Sequence, residues 1–188
     1  MTHMVQNKNI ELEIILTLIK NKSHLREIAR FIKQPHSTVL RRLNELTKEN
    51  IIDYKEEGRN KIFFIESNLK AKNYIYSAEI YKLNQLLKKH PKFLIIFEDI
   101  KKNFSKGMIT LFGSYAKSNP KNKSDIDIYL ETTDNKIKDT IKQLHSNLNI
   151  KIGKFDTKSL LVKEIIKNHI IIKGVEEFYE KNNFFKET

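Results

Sequence analysis

The sequence predicts an α+β protein made of two small domains and a helical connector. Three observations predict it: apolar residues recur at helical spacing near the N-terminus, a charged hairpin follows them, and strands alternate with helices from Gly107 onward. A chain of 188 residues can form two such domains, each with a modest core. We expect the first domain over 1–68, the connector over 69–104 and the second domain over 105–188.

The amino-acid composition indicates which kinds of molecule the protein is expected to bind and which chemistries it lacks. The formal net charge of +12 favours polyanions, either nucleic acid or a nucleoside triphosphate. The absence of cysteine excludes disulfides, thiolate catalysis and cysteine-ligated zinc. No apolar run approaches the roughly 20 residues that span a bilayer, and residues 1–10 lack the apolar stretch of a signal peptide. We therefore expect no membrane partner and a cytoplasmic protein.

The N-terminal segment has the pattern of three short helices. Apolar residues at helical spacing predict a first helix from about Asn9 to Lys20, and Ser23 is a suitable cap for a second. Pro35 marks a tight break, after which a third helix is expected from about His36 to Lys48. Three helices with a tight turn before the third describe a helix-turn-helix.

A hairpin is predicted to follow the third helix. Residues 51–54 and 61–65 are rich in β-branched and aromatic residues, and a charged tip separates them. With this hairpin, the segment Leu25–Ile65 resembles the winged helix-turn-helix of prokaryotic transcription regulators. Such domains place the third helix in the major groove of DNA and the hairpin tip near phosphate or the minor groove.

The resemblance implies a set of DNA-binding residues. They lie on the outward face of the third helix and at the hairpin tip: His36, Ser37, Thr38, Arg41, Arg42, Arg59, Asn60 and Lys61. The alternatives are an ordinary solvated charged face and a winged domain that binds protein, which the acidic residues nearby leave open. Because winged regulators frequently bind DNA as dimers, a homodimer is a further expectation.

Two helices are expected over 69–104, and Pro91 begins the second of them. After this segment the pattern changes to alternating strands and helices. His169 lies where the last predicted helix ends and an apolar strand begins. We expect this side chain to pack or to form a hydrogen bond rather than to take part in catalysis. The elements expected from Gly107 onward are strands over 108–112, 125–131 and 148–155 and helices over 135–147 and 159–167.

Two carboxylates share one face of the second of these strands. Residues two apart in a strand point the same way, so Asp125 and Asp127 lie roughly 6 to 7 Å apart at the backbone. A divalent cation between them would remove their repulsion, and Mg²⁺ favours one or two carboxylates together with water and substrate phosphates. Upstream, Gly113 allows a sharp turn, and amides and a hydroxyl at Ser114 can hold phosphate oxygens.

The runs Gly113–Ser118 and Ser124–Ile128 resemble the signature of the minimal nucleotidyltransferases of the DNA polymerase beta superfamily. The resemblance implies a mixed sheet with helices and dependence on Mg²⁺. It also implies transfer of a nucleoside monophosphate from a nucleoside triphosphate, with ATP expected, to an acceptor. It assigns the metals to Asp125 and Asp127, and the nucleotide to four residues: Gly113, Ser114, Lys117 and Ser124.

The sequence departs from this family at two places. Lys117 and Ser118 stand where the family often has arginine and glycine, and lysine keeps the charge. Family members also carry a third catalytic carboxylate on a neighbouring strand, where it completes a two-metal site. The strand over 148–155 contains no acid, so Asp156 is the candidate, because Glu131 lies too far along its own strand.

Several functions agree with these patterns. The leading expectation is a DNA-binding protein that transfers AMP to a protein or another acceptor. Because minimal nucleotidyltransferases often act as antitoxins, a helical toxin is a candidate partner and autoregulation a candidate role. The second is a transcription regulator whose inactive transferase fold senses a nucleotide or dimerises. The third is an enzyme that acts on a small molecule or RNA, with the winged domain binding that substrate.

Overall fold

The computed structural model describes residues 9–122 and 124–186, without the side chain of Lys186. The chain divides into two compact units, one ending at Ala78 and the other beginning at Glu79. This division falls inside a long helix, so the segment predicted as a connector, 69–104, is shared between the two units. No helix among the described residues is long and apolar enough to cross a bilayer.

Within residues 9–78, the first unit contains three helices and three strands, and a fourth helix begins in it. Its elements are α1 (Ile10–Lys20), β1 (Ser23–His24), α2 (Leu25–Ile32), α3 (His36–Lys48), β2 (Ile52–Glu57), β3 (Asn60–Ile65) and the start of α4 (Leu69–Lys89). The predicted bounds of α1 and α3 are confirmed to within one residue. Helix α1 begins after Asn9, whose side-chain oxygen accepts a hydrogen bond from the amide of Leu12 at 3.2 Å.

The start of α2 differs from the prediction. His24, not Ser23, is the cap, and its Nδ1 accepts a hydrogen bond from the amide of Glu27 at 3.2 Å. Ser23 instead lies in β1, where it pairs with Phe63. The two-residue strand β1 is too short to show an alternating pattern, so no local pattern predicts it.

The strands of the first unit form an antiparallel sheet in the order β1-β3-β2. The hairpin of β2 and β3 turns at Gly58, whose φ of +61° is readily adopted by glycine. Phe63 and Ile65 of β3 are buried together with the apolar faces of α1, α2 and α3. Helices and hairpin therefore share one core.

The second unit has a mixed sheet surrounded by helices. After the remainder of α4 come α5 (Lys92–Asn103), β4 (Ile109–Leu111), α6 (Gly113–Ala116), β5 (Ile126–Glu131), α7 (Asn135–Leu144), β6 (Leu148–Gly153), α8 (Leu160–Lys167), β7 (Ile170–Lys173), α9 (Val175–Lys181) and a 3-10 helix (Phe184–Lys186). The strand order is β6-β5-β4-β7, with β5 and β6 parallel and the other two pairs antiparallel. A mixed sheet is what the resemblance implied.

Helix α5 belongs to the core of the second unit. Phe93 and Phe97 of this helix are buried in the same cluster as Ile126 and Ile128 of β5. Burying large apolar side chains is the main favourable term in folding, so α5 is a structural part of this unit rather than a linker.

A buried carboxylate, Glu79, organises a polar cluster inside the second unit. It is fully buried, and it contacts the ammonium of Lys82 at 2.6 Å and the hydroxyl of Tyr179 at 2.8 Å. His169 completes the cluster with Nε2 at 3.3 Å from Glu79, while its Nδ1 lies 3.0 Å from the carbonyl oxygen of Ile165. The expectation that His169 is a packing and hydrogen-bonding histidine is confirmed.

Candidate functional site

The turn after β4 lies directly against Asp127. The amide of Phe112 donates a hydrogen bond to the carbonyl oxygen of Asp127 at 3.0 Å. Gly113 follows with a φ of +69°, and a Cβ atom added there would lie 2.1 Å from Oδ2 of Asp127. Only glycine therefore lets the backbone and the carboxylate approach this closely.

The short helix α6 is fixed to the core by Tyr115. This side chain is buried and packs edge to face against Phe93, with ring centroids 4.9 Å apart, and against His90 at 5.3 Å. Burial holds the pKa of the His90 imidazole below its ordinary value, and the neighbouring lysines lower it further. Aromatic packing thus sets the position of Gly113 and Ser114, which precede Tyr115.

The other residues expected to hold a nucleotide surround this turn, and each already has a partner. The carbonyl of Ser114 accepts a hydrogen bond from the amide of Asn119 at 3.0 Å. Ser124 Oγ accepts from the amide of Lys121 at 2.8 Å. Lys117 forms an ion pair of 2.7 Å with Glu164 of α8, in which both side chains are about half exposed.

Asp125 and Asp127 flank the first residue of β5. Ile126, between them, is buried and donates its amide to the carbonyl of Asn147 at 2.8 Å. Asp125 is exposed and Asp127 is partly buried. Because alternate residues of an extended chain point to opposite faces, the burial of Ile126 and Ile128 directs both carboxylates to the other face.

The neighbour of Asp127 on the next strand is an asparagine. Strand β6 runs parallel to β5 with Asn149 in register with Asp127. The Nδ2 atom of Asn149 donates a hydrogen bond to Oδ1 of Asp127 at 2.7 Å. Sequence reasoning missed Asn149 because it searched this strand for an acid, and only the register shows which of its residues faces Asp127.

Asp156 does not join the pair, which corrects the sequence-based choice of a third carboxylate. Gly153 of β6 pairs with Glu131, so the chain has run about 13 Å along the strand beyond Asn149 before it reaches Asp156. There Oδ1 of Asp156 accepts a hydrogen bond from the amide of Lys158 at 2.9 Å. The far end of β5 is equally remote, and Glu131 there forms an ion pair with Lys181.

The donor set suits one hard cation. Two carboxylates beside a backbone turn, completed by water and phosphate oxygens, match the coordination that Mg²⁺ prefers. Across residues 9–122 and 124–186, no group of three acidic, histidine or cysteine side chains is arranged to hold a metal ion. Asp125 and Asp127 are therefore the residues that could bind one, with Asn149 beside them.

In the first unit, the residues expected to contact DNA are not equivalent. His36, Ser37 and Arg41 are exposed on α3, whereas Thr38 is partly buried. Arg42 is bound at 2.7 Å by Glu45 and at 3.0 Å by Glu11, and its hydrogen bond to Glu45 raises the pKa of its guanidinium above the ordinary value. Arg42 thus ties α3 to α1, whereas Arg41 is more exposed and its ion pair with Glu45 is longer, at 3.9 Å.

The tip of the hairpin is solvated. Arg59, Asn60 and Lys61 are all exposed, as the resemblance implied for a wing. The ammonium of Lys61 lies over the ring of Tyr54, 3.8 Å from its centroid, which holds it on the hairpin by a cation-π interaction.

Comparison with known proteins gives one family match and one similar solved structure. No curated protein matches the chain. Among solved structures, the chain is similar to AF1382 from Archaeoglobus fulgidus at 24% identity, with a TM-score of 0.33, over 42% of this chain and 86% of that one. Residues 96–183 match the model of the family described as Polymerase beta, Nucleotidyltransferase. That matched segment contains the turn at Gly113, both aspartates and Asn149.

Proposed function

We propose that the second unit binds a nucleoside triphosphate, with ATP the expected ligand, together with Mg²⁺. The observation that carries this proposal is the contact of the Gly113 backbone with the carboxylate of Asp127. A cation at Asp127 is then adjacent to a turn whose amides and Ser114 hydroxyl can receive phosphate oxygens. When bound, Mg²⁺ neutralises the charge of the triphosphate.

Lys117 adds the positive charge of this site. Its ammonium is paired with Glu164 at 2.7 Å. Because both groups are half exposed, the pair is weak, on the order of 1 kcal/mol or less, and a triphosphate can compete for the lysine. Ser124 contributes by closing the loop before Asp125 through its bond to the Lys121 amide.

We also propose that the first unit is a winged helix-turn-helix that binds DNA. The order of helices and hairpin, the exposed face of α3 and the basic tip of the hairpin support this proposal. Arg41 and the tip residues Arg59 and Lys61 supply cations for phosphate or base edges. A nucleotide-binding domain attached to such a module suits a transcription regulator.

A second candidate function is transfer of AMP to a protein acceptor, such as a helical toxin. The match of residues 96–183 to a nucleotidyltransferase family favours it. Two-metal catalysis of this transfer uses a third carboxylate, and Asn149 lies where β6 would supply one. Binding of the nucleotide is therefore supported better than its transfer.

Thermal unfolding of the full chain with ATP, with and without Mg²⁺, tests the nucleotide proposal. Saturation at about 100 times the dissociation constant should stabilise the second unit by about 2.7 kcal/mol, only when Mg²⁺ is present. The double variant Asp125→Ala, Asp127→Ala should lose this stabilisation. An equal rise in melting temperature without Mg²⁺, or in the double variant, would rule out the aspartate site.

Fluorescence anisotropy of a labelled duplex at several salt concentrations tests the DNA proposal. Affinity should fall linearly with the logarithm of salt concentration, since each phosphate contact releases counterions. Absence of binding at low salt would reject DNA as the partner.

A further inference from the structure

We infer that Asn149 limits the site to one divalent cation, so that the domain binds a nucleotide but does not transfer it. This inference rests on the proposed nucleotide site. It specifies in addition that the site binds one cation and that the domain has lost nucleotidyl transfer. It comes from the pairing of Asn149 with Asp127, which no sequence pattern assigned.

The hydrogen bond between these residues has one possible direction. An ionised carboxylate only accepts, so the Asn149 side chain must present its NH₂ group to Asp127, as it does at 2.7 Å. A second cation would need a further oxygen ligand beside Asp127, and the NH₂ group that Asn149 presents there cannot supply one. Oδ1 of Asp127 is therefore committed to a hydrogen bond, while Oδ2, on the side of Gly113, is left for a cation.

The same hydrogen bond means that a second cation is less needed to offset the repulsion between carboxylates. Two neighbouring carboxylates repel, and a third would increase the repulsion unless metals offset it. The amide of Asn149 instead donates hydrogen to Asp127 and adds no charge. The site can thus fold without metal and bind one cation when the triphosphate brings it.

No other acid in the described part of the second unit replaces the missing carboxylate. Asp156 lies beyond the end of β6 and binds the amide of Lys158. Glu131 is paired with Lys181 at the far end of β5. Among the described residues, no third acidic side chain is grouped with Asp125 and Asp127 in a way that could hold a metal ion. Two-metal chemistry therefore lacks the third carboxylate that would complete the metal site and act as a base for the acceptor hydroxyl.

Counting Mn²⁺ ions tests this inference without measuring activity. The full chain is titrated with Mn²⁺ in the presence of one equivalent of a non-hydrolysable ATP analogue, and free Mn²⁺ is read by electron paramagnetic resonance. The wild type should bind one Mn²⁺ per chain and Asn149→Asp should bind two. Asn135→Asp is the matched control, because Asn135 is exposed at the start of α7, beyond the opposite end of β5. It should bind one.

The outcomes separate this inference from the proposed function. Two ions in the wild type, or one in a folded Asn149→Asp variant, would overturn the role of Asn149. If Asn149→Asp does not fold, as circular dichroism would reveal, the wild-type count still decides between one ion and two. Failure of the wild type to bind the analogue at all would instead reject the nucleotide site itself.

Discussion

Gly113 and Asp127 form the closest approach in the candidate site: a Cβ atom at position 113 would lie 2.1 Å from Oδ2 of Asp127 and 2.9 Å from its Cγ. The two residues are 14 positions apart, and the antiparallel pairing of β4 with β5 brings them together. This relationship makes the backbone of the turn and the carboxylate parts of one structure, so a change at either should affect both folding and ligand binding.

Replacing Gly113 with alanine should therefore destabilise the second unit by about 1 to 3 kcal/mol, since the left-handed backbone and the clash both act. Urea unfolding of the variant measures the loss. Gly58→Ala is the control, because Gly58 has a similar φ of +61° but nothing within 4 Å of the added Cβ. Its loss should be limited to about 1 to 2 kcal/mol, the backbone cost alone. A milder effect at Gly113 than at Gly58 would contradict the close contact.

Freeing Lys117 should strengthen nucleotide binding. The Lys117 ammonium beside Glu164 holds the pKa of that carboxyl below its ordinary value. In Glu164→Gln the lysine no longer has to break an ion pair before it binds the triphosphate. Affinity for ATP with Mg²⁺ should therefore rise by roughly threefold to fivefold, which corresponds to the free energy of a weak ion pair. Glu180→Gln removes an exposed acid elsewhere and should leave affinity unchanged. Weaker binding in Glu164→Gln would mean that Glu164 positions the lysine.

Acid should destabilise the second unit through Glu79. Burial alone would raise the pKa of this carboxyl, but Lys82 and His169 outweigh it and lower the pKa to about 2. A lowered pKa gives stability that is present above about pH 4.5 and is lost as pH falls toward 2. The loss is on the order of 3 kcal/mol at most. Glu79→Gln should flatten this part of the stability profile, whereas Glu98→Gln, at an exposed site, should not. A profile unchanged by Glu79→Gln would contradict the buried ion cluster.

Arg41 and Arg42 should differ in DNA binding. Arg41→Ala should weaken binding to a labelled duplex and reduce the salt slope by about one, because an exposed cation leaves the interface. Arg42→Ala should instead lower the stability of the first unit, since Glu11 and Glu45 lose their shared partner. If the salt slope responds to Arg42 and not to Arg41, the proposed orientation of α3 is wrong.

Local patterns in the sequence predicted most of the elements. Helix α3 was placed from His36 to Lys48 because its apolar residues recur at helical spacing after Pro35. The turn at Gly113 and the carboxylates of Asp125 and Asp127 were found because a short motif carries all three. These features depend on neighbours within a few residues, which is the range that sequence periodicity and capping rules cover.

Features set by distant partners were missed. The identity of the residue beside Asp127 depends on the register of β5 against β6, and a shift of one position would exchange Asn149 for an apolar neighbour. The bond between Arg42 and Glu11 joins residues 31 positions apart, so the sequence alone did not predict that Arg42 ties α3 to α1. Neither pairing leaves a local trace, so the position of Asp156 relative to Asp127 and the different surroundings of Arg41 and Arg42 are visible only in the structure.

The central claim is that Asp127 binds a cation together with a nucleoside triphosphate. Isothermal titration calorimetry of the full chain with ATP and Mg²⁺ tests it directly, comparing wild type with Asp127→Asn and with Asp139→Asn, which removes an exposed acid from α7. Wild type and Asp139→Asn should bind with equal affinity, and Asp127→Asn should bind at least about tenfold more weakly, a loss of about 1.4 kcal/mol. Equal affinity in all three proteins would contradict the account.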